Sequence, residues 1–253
     1  MSMLDGTVAL VTGASSGIGE ATALALAAEG AAVALAARRR ERLDDVAERI
    51  RATGAEALVL EADVTRAADA RRVVDETVAR FGRLDTLVNN AGVMLLGPIV
   101  DADVGEWERM IELNLTALMR CTHAALPHLR AAAAREPRRV ADLVNVSSVA
   151  GRFARVGSGA YNATKFGVGA FSESLRQEIT REHVRVSLIE PGYVATELQS
   201  HNRPEIQETM RRTFRLDDPL EAADVADAIR YVVTRPRHVA INEVLIRPTE
   251  QER

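Results

Sequence analysis

The stretch Thr12-Gly13-Ala14-Ser15-Ser16-Gly17-Ile18-Gly19 decides the fold, because it joins a buried strand to a helix through a glycine-rich turn. The apolar run Thr7–Thr12 predicts the strand, and the segment Gly17–Glu29 predicts the helix. Glycines here allow close backbone approach, so that a pyrophosphate can bind the free N–H groups at the positive helix end. The spacing G-x-x-x-G-x-G departs from the G-x-G-x-x-G fingerprint, so the turn alone is a moderate indication of a dinucleotide.

Strand and helix patterns alternate along the rest of the chain. The other predicted strands are Ala32–Ala37, Ala57–Glu61, Thr86–Asn89, Asp142–Ser147, Val184–Glu190 and Glu243–Arg247. The other predicted helices are Arg40–Ala52, Ala67–Phe81, Val104–Leu129, Ser158–Glu182 and Ala222–Thr234. Near-continuous apolar strands separated by helices predict an α/β fold, with a doubly wound, seven-stranded parallel sheet covered on both faces. Residues 1–253 show no break in composition, so we predict one domain.

The composition suits a globular enzyme and argues against several kinds of partner. The 253 residues are 47% hydrophobic and 27% charged, and the net charge of −4 at pH 7 offers no field that attracts nucleic acid. We expect a cytoplasmic protein, because Cys121 is the only cysteine and neither a signal segment nor a run of about 20 apolar residues is present. His123 and His128 lack the i,i+4 spacing of a helical metal-binding pair, so we predict no metal in the chemistry.

The glycine turn also contains a literal G-x-S-x-G, Gly13-Ala14-Ser15-Ser16-Gly17, in the strand–turn–helix context of a hydrolase nucleophile elbow. This interpretation places the elbow on the first strand, leaves Gly19 unexplained and finds no His/Asp pair marked by its surroundings. A serine hydrolase is therefore a weaker rival hypothesis. A glycine-rich turn without a ligand is another alternative.

The end of the second predicted strand indicates which cofactor the turn would bind. An NAD-binding unit usually has an acid there, which holds the ribose 2′-hydroxyl. This sequence has Ala36-Ala37-Arg38-Arg39-Arg40 instead, with three guanidiniums and no carboxylate. Arginine matches a 2′-phosphate in charge and in fork geometry, so we predict NADP, bound by Arg38 and Arg39. The alternative is a solvated basic start to the second helix.

Tyr161 and Lys165 stand four residues apart in Gly159-Ala160-Tyr161-Asn162-Ala163-Thr164-Lys165, and Ser148 lies thirteen positions before the tyrosine. On a helix this spacing puts the phenol and the ammonium group on one face. Because a nearby cation stabilises phenolate, we expect the pKa of Tyr161 to be low enough for proton exchange near neutral pH.

Six motifs follow one another along the chain: Thr12-Gly-x-x-x-Gly-Ile-Gly19, Asn89-Asn90-Ala91-Gly92, Asn114, Ser148, Tyr161-x-x-x-Lys165 and Pro191-Gly192-Tyr193-Val194-Ala195-Thr196. In order and spacing they resemble the short-chain dehydrogenase/reductase family, over about residues 5–248. The resemblance implies a single-domain Rossmann fold. Softer matches look most similar to bacterial NADP-dependent reductases of the 3-hydroxy acid dehydrogenase and clavulanic acid dehydrogenase type.

The resemblance implies catalytic roles for four residues. Tyr161 would be the general acid when a carbonyl is reduced and the base when an alcohol is oxidised, while Ser148 would hydrogen-bond the substrate oxygen. Lys165 would hold the nicotinamide ribose and lower the tyrosine pKa, and Asn114 would hold a water behind the lysine. Each residue also has a purely structural alternative, as a hydrogen bonder, a core aromatic or a solvated lysine. Ser147 adjoins Ser148, but the spacing to the tyrosine favours Ser148.

The resemblance also implies which residues bind the cofactor. Asp63 and Val64 would contact the adenine, and Val194 and Thr196 would hold the carboxamide of the nicotinamide. The full predicted set is Gly13, Ser15, Ser16, Gly17, Ile18, Gly19, Arg38, Arg39, Asp63, Val64, Asn90, Ala91, Gly92, Tyr161, Lys165, Pro191, Gly192, Val194 and Thr196.

The substrate side is marked by the polar segment at about 192–216, which we predict to be a lid. Arg152, Arg155, His201 and Arg203 are candidates to meet a substrate carboxylate, although exposed arginines are more often only solvated. The softer family matches indicate a small aldehyde, ketone or hydroxy acid.

Two further features concern the surface. The helices at about 104–129 and 158–182 carry apolar residues on more than one face, and family members use the matching helices to assemble, so we predict a homotetramer, with a dimer second. The segment Arg135–Asp142 is longer than usual in the family, and we expect it at the surface away from the site.

The leading hypothesis is an NADP(H)-dependent oxidoreductase that transfers a hydride between nicotinamide and a small-molecule carbonyl or alcohol. A non-catalytic NADP-binding regulator on the same fold is disfavoured because all four catalytic positions are filled. The serine hydrolase is the third hypothesis.

Overall fold

The computed structural model describes residues 2–213 and 217–252, within which seven strands form one parallel sheet. The strands are β1 (Val8–Thr12), β2 (Ala32–Ala37), β3 (Ala57–Glu61), β4 (Thr86–Asn89), β5 (Ala141–Val146), β6 (Val184–Pro191) and β7 (Glu243–Ile246). Their order across the sheet is β3-β2-β1-β4-β5-β6-β7. This is the doubly wound order of a Rossmann fold, so the predicted fold class is confirmed.

Helices cover both faces of this sheet. They are α1 (Gly17–Ala28), α2 (Arg40–Ala52), α3 (Ala67–Phe81), α4 (Val104–Ile111), α5 (Leu118–Ala133), α6 (Gly159–Ile179), α7 (Pro204–Thr213) and α8 (Ala222–Val233). Alternate residues of a strand face opposite sides, so Leu10 packs with α3, α5 and α6 while Ala9 and Val11 pack with α1, α2 and α8. In the part of the chain that the structure describes, no helix has the length and apolar character needed to cross a membrane.

The order in which strands are added to the sheet reverses between β1 and β4: β2 and β3 lie on one side of β1, and β4 to β7 lie on the other. Strands β1 and β4 pair with Ala9 opposite Thr86. In a doubly wound sheet, this switch point leaves a crevice outside the carboxyl ends of the strands. Because all seven strands are parallel, the residues that follow them meet at the same edge. The fold therefore brings the glycine turn, Ser148 and the Pro191 motif to one side of the molecule.

The helical predictions need two corrections. The predicted helix Val104–Leu129 is α4, a π-helical turn at Glu112–Ala117 and α5 in succession. The predicted lid at about 192–216 contains a 3-10 helix, Glu197–His201, and then α7, which the sequence pattern does not predict. Residues 214–216 of that prediction lie outside the described part of the chain.

The long segment before β5 lies at the amino ends of the strands, on the side opposite the crevice. Arg138 Nη1 donates to Asp142 Oδ2 at 3.0 Å, and Arg185 Nε donates to Asp142 Oδ1 at 2.7 Å. Asp142 is buried near the start of β5. The additional length is therefore anchored away from the carboxyl ends, as expected.

Candidate active site

A cleft of about 950 Å³ runs along the carboxyl ends of the strands. One half is formed by the glycine turn and the residues after β2 and β3, and the other by Ser148, α6 and the Pro191 motif. The segment after that motif reaches back to the first half, where Glu197 contacts Arg39. Every predicted cofactor-binding residue lines this cleft except Gly19. The structure thus brings together residues from all three thirds of the sequence.

The glycine turn has no room for side chains. Gly13 has a φ of 66°, and a Cβ on it would lie 2.8 Å from Ala91 Cα. A Cβ on Gly19 would collide with the Gly13 carbonyl oxygen. Asn90 Nδ2 holds the turn in place by donating to the carbonyl oxygens of Thr12 at 3.0 Å and Gly13 at 3.2 Å. The turn therefore presents bare backbone at the N-terminus of α1, where N–H groups favour an anion.

Arg39 gathers the polar groups at one end of the cleft. Its Nε and Nη2 donate to Ser15 Oγ at 3.2 and 3.1 Å, and Nη2 also donates to Ser16 Oγ at 2.7 Å. Its Nη1 donates to Glu197 Oε2 at 2.8 Å. Arg38 lines the same cleft. Two guanidiniums beside two hydroxyls suit a phosphate group.

Tyr161, Ser148 and Lys165 converge in the other half of the cleft. Helix α6 puts Tyr161 and Lys165 on one face, with Lys165 Nζ 5.8 Å from the centre of the tyrosine ring. Ser148 follows β5 and forms a hydrogen bond with the Tyr161 side chain. Lys165 Nζ donates to the Val146 carbonyl oxygen at 3.0 Å. The tyrosine and the lysine are both buried, so their charged forms are poorly solvated.

The prediction that the pKa of Tyr161 lies near neutrality is wrong for the protein alone. Burial raises the pKa of Tyr161 to about 12, and the hydrogen bond with Ser148 lowers it only in part. Burial also lowers the pKa of Lys165 to about 8. The physical reason is that desolvation penalises phenolate and ammonium alike, and it is the largest cause of both shifts. The phenol therefore keeps its proton at neutral pH.

The two adjacent serines have different surroundings. Ser147 is buried, and its hydroxyl donates to the Lys165 carbonyl oxygen at 3.3 Å. Ser148 Oγ accepts from the Ala150 N–H at 3.1 Å and donates to the Pro191 carbonyl oxygen at 3.4 Å. The serine that meets Tyr161 is the one that the spacing favours.

Asn114 lies in the π-helical turn between α4 and α5. Its Oδ1 accepts from the Val93 N–H and its Nδ2 donates to the Val93 carbonyl oxygen, both at 2.8 Å. Nδ2 also donates to Thr164 Oγ1, beside Lys165, at 3.3 Å. π-Helical turns are rare and often occur at functional sites. Asn114 therefore joins the loop after β4 to α6, and the water behind Lys165 stays a prediction.

Arg152 was a candidate for a substrate carboxylate, but the structure gives it another partner. Its Nε donates to both carboxylate oxygens of Glu190 at 2.8 Å, and its Nη2 contacts Glu243. These ion pairs raise the pKa of Arg152 further above its ordinary value. Because Glu190 is buried, Arg152 is needed to neutralise it. Arg152 therefore ties the loop after Ser148 to the last part of β6 and to the first residue of β7.

The other candidate cations divide into two groups. Arg155 and His201 line the cleft. Arg203 is not among the described residues that line it, and its Nε lies 3.9 Å from Glu106 Oε1. Of these candidates, Arg155 and His201 are therefore the ones that the structure places in the cleft.

Several residues that line the cleft could not be identified from a local sequence motif. Gln251 Oε1 accepts from the Tyr193 N–H at 2.8 Å and fills the space over Gly192, where a Cβ would collide with it. Tyr193 and Gln251 are 58 residues apart, so only the folded chain reveals the contact. Apolar side chains complete the wall: Met94, Leu95, Leu96, Phe153, Leu198 and Met210.

Comparison with known proteins places this geometry in a family. The family model described as short chain dehydrogenase matches residues 7–207. An uncharacterized oxidoreductase of Staphylococcus aureus (strain USA300) is 36% identical over 248 residues, which cover 98% of this chain and 100% of that protein. The closed form of serine dehydrogenase complexed with NADP+ is 32% identical, with a TM-score of 0.88 over 98% of this chain and 97% of that chain. A metagenomic short-chain oxidoreductase in complex with NADP is 35% identical, with a TM-score of 0.81 over 98% and 100% of the two chains. The chain therefore belongs to the short-chain dehydrogenase family.

Proposed function

We propose that this chain is an NADP(H)-dependent oxidoreductase that moves a hydride between nicotinamide and the carbon of a carbonyl or alcohol, with Tyr161 as general acid or base. Membership of the short-chain dehydrogenase family supports the oxidoreductase class. The finer proposal depends on one observation: the cleft holds Ser148, Tyr161 and Lys165 in one half and Arg39 in the other.

The residues of the cleft fit NADP. Gly13 and Gly17 line the cleft at the N-terminus of α1, where a pyrophosphate could approach the backbone, and Gly19 lets the turn pack closely against the Gly13 carbonyl. Arg38 and Arg39 would hold the 2′-phosphate, and Lys165 would hold the nicotinamide ribose. The serine dehydrogenase and the metagenomic oxidoreductase were both solved with NADP, which supports the same cofactor here.

The remaining predicted contacts follow the same direction along the cleft. Asp63 and Val64 would contact the adenine, and Val194 and Thr196 would hold the carboxamide. When bound, NADPH supplies the hydride that a carbonyl carbon accepts. These assignments extend from the Arg39 end of the cleft to the Tyr161 end.

The acid–base chemistry is assigned to α6 and the loop after β5. In carbonyl reduction, Tyr161 donates its hydroxyl proton to the substrate oxygen as negative charge develops there. A pKa of about 12 keeps the phenol protonated until that moment. Ser148 donates a hydrogen bond to the same oxygen. With its pKa lowered to about 8, Lys165 is still mainly an ammonium ion at neutral pH and stabilises the phenolate that results.

The substrate is proposed to be a small aldehyde, ketone or hydroxy acid. The walls near Tyr161 are largely apolar, with Leu95, Leu96 and Phe153 among them, while Arg155 and His201 supply polar positions. A similar solved protein is named serine dehydrogenase, whose name indicates a small hydroxylated substrate. The likeness to the 3-hydroxy acid and clavulanic acid dehydrogenase types stays a prediction.

The rival hypotheses account for less of the site. In the hydrolase hypothesis Ser15 would be the nucleophile, but its hydroxyl accepts from the guanidinium of Arg39, which cannot act as a base. A non-catalytic regulator would have no use for the convergence of Ser148, Tyr161 and Lys165. Neither alternative is favoured by the comparisons.

One assay separates the three hypotheses. NADPH consumption is followed with a panel of small aldehydes, ketones and keto acids, and ester hydrolysis is followed in parallel with a chromogenic ester. We expect NADPH consumption that depends on Tyr161 and no ester cleavage. Hydrolysis that survives in Tyr161→Phe but not in Ser15→Ala would support the hydrolase instead.

We further propose that the chain assembles as a homotetramer, with a dimer as the second possibility, and acts in the cytoplasm. Ile111, Met119 and Phe166 are exposed apolar side chains on α4, α5 and α6. Burying them against a second copy would remove them from water. Size-exclusion chromatography with light scattering measures the mass directly, and a monomeric mass contradicts both assemblies.

A further inference from the structure

We propose that Glu197 competes with the cofactor's 2′-phosphate for Arg39, and thereby makes the segment after Thr196 sensitive to whether NADP or NAD is bound. The inference rests on the proposed function, because it concerns the same cofactor cleft. It assigns a role in cofactor selection to a residue outside the predicted set.

The observation is a carboxylate placed where a phosphate is expected. Arg39 Nη1 donates to Glu197 Oε2 at 2.8 Å, while its other nitrogens donate to Ser15 and Ser16 in the glycine turn. Arg42 Nη2 lies 3.7 Å from Glu197 Oε1. Glu197 Oε2 therefore occupies a position on the Arg39 guanidinium that an oxygen of the 2′-phosphate would take.

The charges around Arg39 make Glu197 the relevant competitor. The hydrogen bond from Arg39 is the largest cause that lowers the pKa of Glu197, so this carboxylate is ionised at neutral pH. Arg40 is paired with Asp44 instead, at 3.4 Å. In the same 3-10 helix the pKa of His201 is lowered, first by burial and then by the nearby arginines. His201 is therefore neutral at pH 7, so its charge does not affect whether Glu197 or the 2′-phosphate binds Arg39.

The two anions differ enough for one to displace the other. A phosphate monoester carries a charge of about −1.5 to −2 at pH 7, whereas a carboxylate carries one. The Arg39–Glu197 pair is also accessible, with side-chain exposures of 46% and 45%, so it is screened by water. The 2′-phosphate of NADP should therefore take Arg39 from Glu197. The 2′-hydroxyl of NAD has no charge with which to do so.

Release of Glu197 affects the substrate side because of where it lies in the chain. Glu197 begins the 3-10 helix Glu197–His201, and Leu198, Gln199 and His201 of that helix line the cleft. Thr196, immediately before it, is predicted to hold the carboxamide. A bound 2′-phosphate thus frees this helix from its anchor at Arg39, while NAD leaves the anchor in place.

The test is a comparison of dissociation constants in three full-length proteins: the wild type, Glu197→Gln and Glu20→Gln. Glu20 is the matched control, because it is an acid in the first turn of α1, directly after the glycine turn, and it pairs with Arg49 instead of Arg39. Binding of NADPH, NADH and adenosine 2′,5′-bisphosphate is measured by titration. The bisphosphate carries the 2′-phosphate without nicotinamide, so it isolates the Arg39 end.

We expect Glu197→Gln to bind NADPH and the bisphosphate about three- to fivefold more tightly, with the Kd for NADH unchanged, since exposed ion pairs contribute modestly. The gain should shrink as salt is added. Glu20→Gln should match the wild type. An unchanged Kd for NADPH, or an equal gain for NADPH and NADH, overturns the inference. If the wild type binds neither dinucleotide, the proposed function itself fails; if it turns over NADPH but Glu197→Gln shows no selective gain, only this inference fails.

Discussion

The ammonium group of Lys165 lies 5.8 Å from the centre of the Tyr161 ring, and both side chains are buried. Burial moves their pKa values in opposite directions, to about 12 for Tyr161 and about 8 for Lys165. At neutral pH the pair is therefore a phenol beside an ammonium ion that loses its proton more readily than an exposed lysine does. That arrangement has consequences for stability as well as for catalysis.

We expect the stability of the protein to rise between about pH 8 and pH 10 because of Lys165. Its pKa falls from 10.5 to about 8 on folding, so the unfolded chain binds more protons than the folded protein across that interval. Because a rising pH then disfavours the unfolded chain, the free energy of unfolding increases. Above about pH 10 the raised pKa of Tyr161 acts in the opposite sense, because the folded state then binds more protons. Urea denaturation across this range measures both trends.

The matched variant for that experiment is Lys165→Met, which keeps an unbranched side chain one atom shorter and removes the charge. It should lack the rise between about pH 8 and pH 10. Loss of the hydrogen bond to the Val146 carbonyl costs about 1 kcal/mol at every pH, which shifts the curve without changing its slope. Equal slopes in the variant and the wild type would show that Lys165 is not desolvated as described.

Arg39→Ala should weaken NADPH binding by about 10- to 100-fold and leave NADH binding nearly unchanged. The reason is that a charge-assisted hydrogen bond contributes about 1.5–3 kcal/mol, and only the 2′-phosphate receives it. Fluorescence titration of both dinucleotides measures the selectivity. Arg49→Ala is the control, because Arg49 pairs with Glu20 outside the Arg39 cluster. Equal losses for the two dinucleotides would contradict recognition of the 2′-phosphate by Arg39.

Ser148→Ala should lower kcat by about 10²–10³-fold, as expected for a donor that stabilises a developing oxyanion. Ser147→Ala should retain most activity, because its hydroxyl donates to the Lys165 carbonyl and not to Tyr161. Steady-state kinetics with NADPH at saturation compares the two. If Ser147→Ala loses more activity than Ser148→Ala, the assignment is reversed.

Arg152→Met should destabilise the protein by about 2 kcal/mol, because it leaves the buried Glu190 unpaired. Removing one partner of a fully buried pair costs about 3–5 kcal/mol, and the partial exposure of Arg152 reduces this figure. The urea midpoint reports the change. Arg130→Met is the control, because its partner Glu182 is exposed and the expected loss is within about 0.5 kcal/mol. Adding Glu190→Gln to Arg152→Met should recover part of the loss.

Much of the fold follows from local sequence patterns. The strands Ala32–Ala37 and Ala57–Glu61 have the predicted bounds, because each begins shortly after a glycine and is an apolar run that stops at a charged residue, Arg38 after the first strand and Glu61 at the end of the second. The interruption at Glu112–Ala117 could not be predicted, since it is fixed by the bonds between Asn114 and Val93 across 21 residues.

Some features of the candidate site could likewise be predicted from the sequence, and others could not. Spacing within one element predicts the placement of Tyr161 beside Lys165, and the distance along the chain to the tyrosine favours Ser148 over Ser147 as the catalytic serine, which stays a prediction. The pKa of Tyr161 could not be predicted because it depends on burial by residues from distant elements. The contacts of Arg39 with Glu197, and of Gln251 with Tyr193, join residues 158 and 58 positions apart, and no local motif marks them.

In the proposed reaction, Tyr161 supplies the proton that accompanies hydride transfer from NADPH. Tyr161→Phe removes one hydroxyl, and the most direct measurement is its kcat for carbonyl reduction together with its Kd for NADPH. We expect a loss of kcat of about 10²–10⁴-fold, the range of general acid catalysis, with the Kd unchanged. A Tyr161→Phe enzyme that binds NADPH and reduces the carbonyl at the wild-type rate would show that Tyr161 is not the general acid.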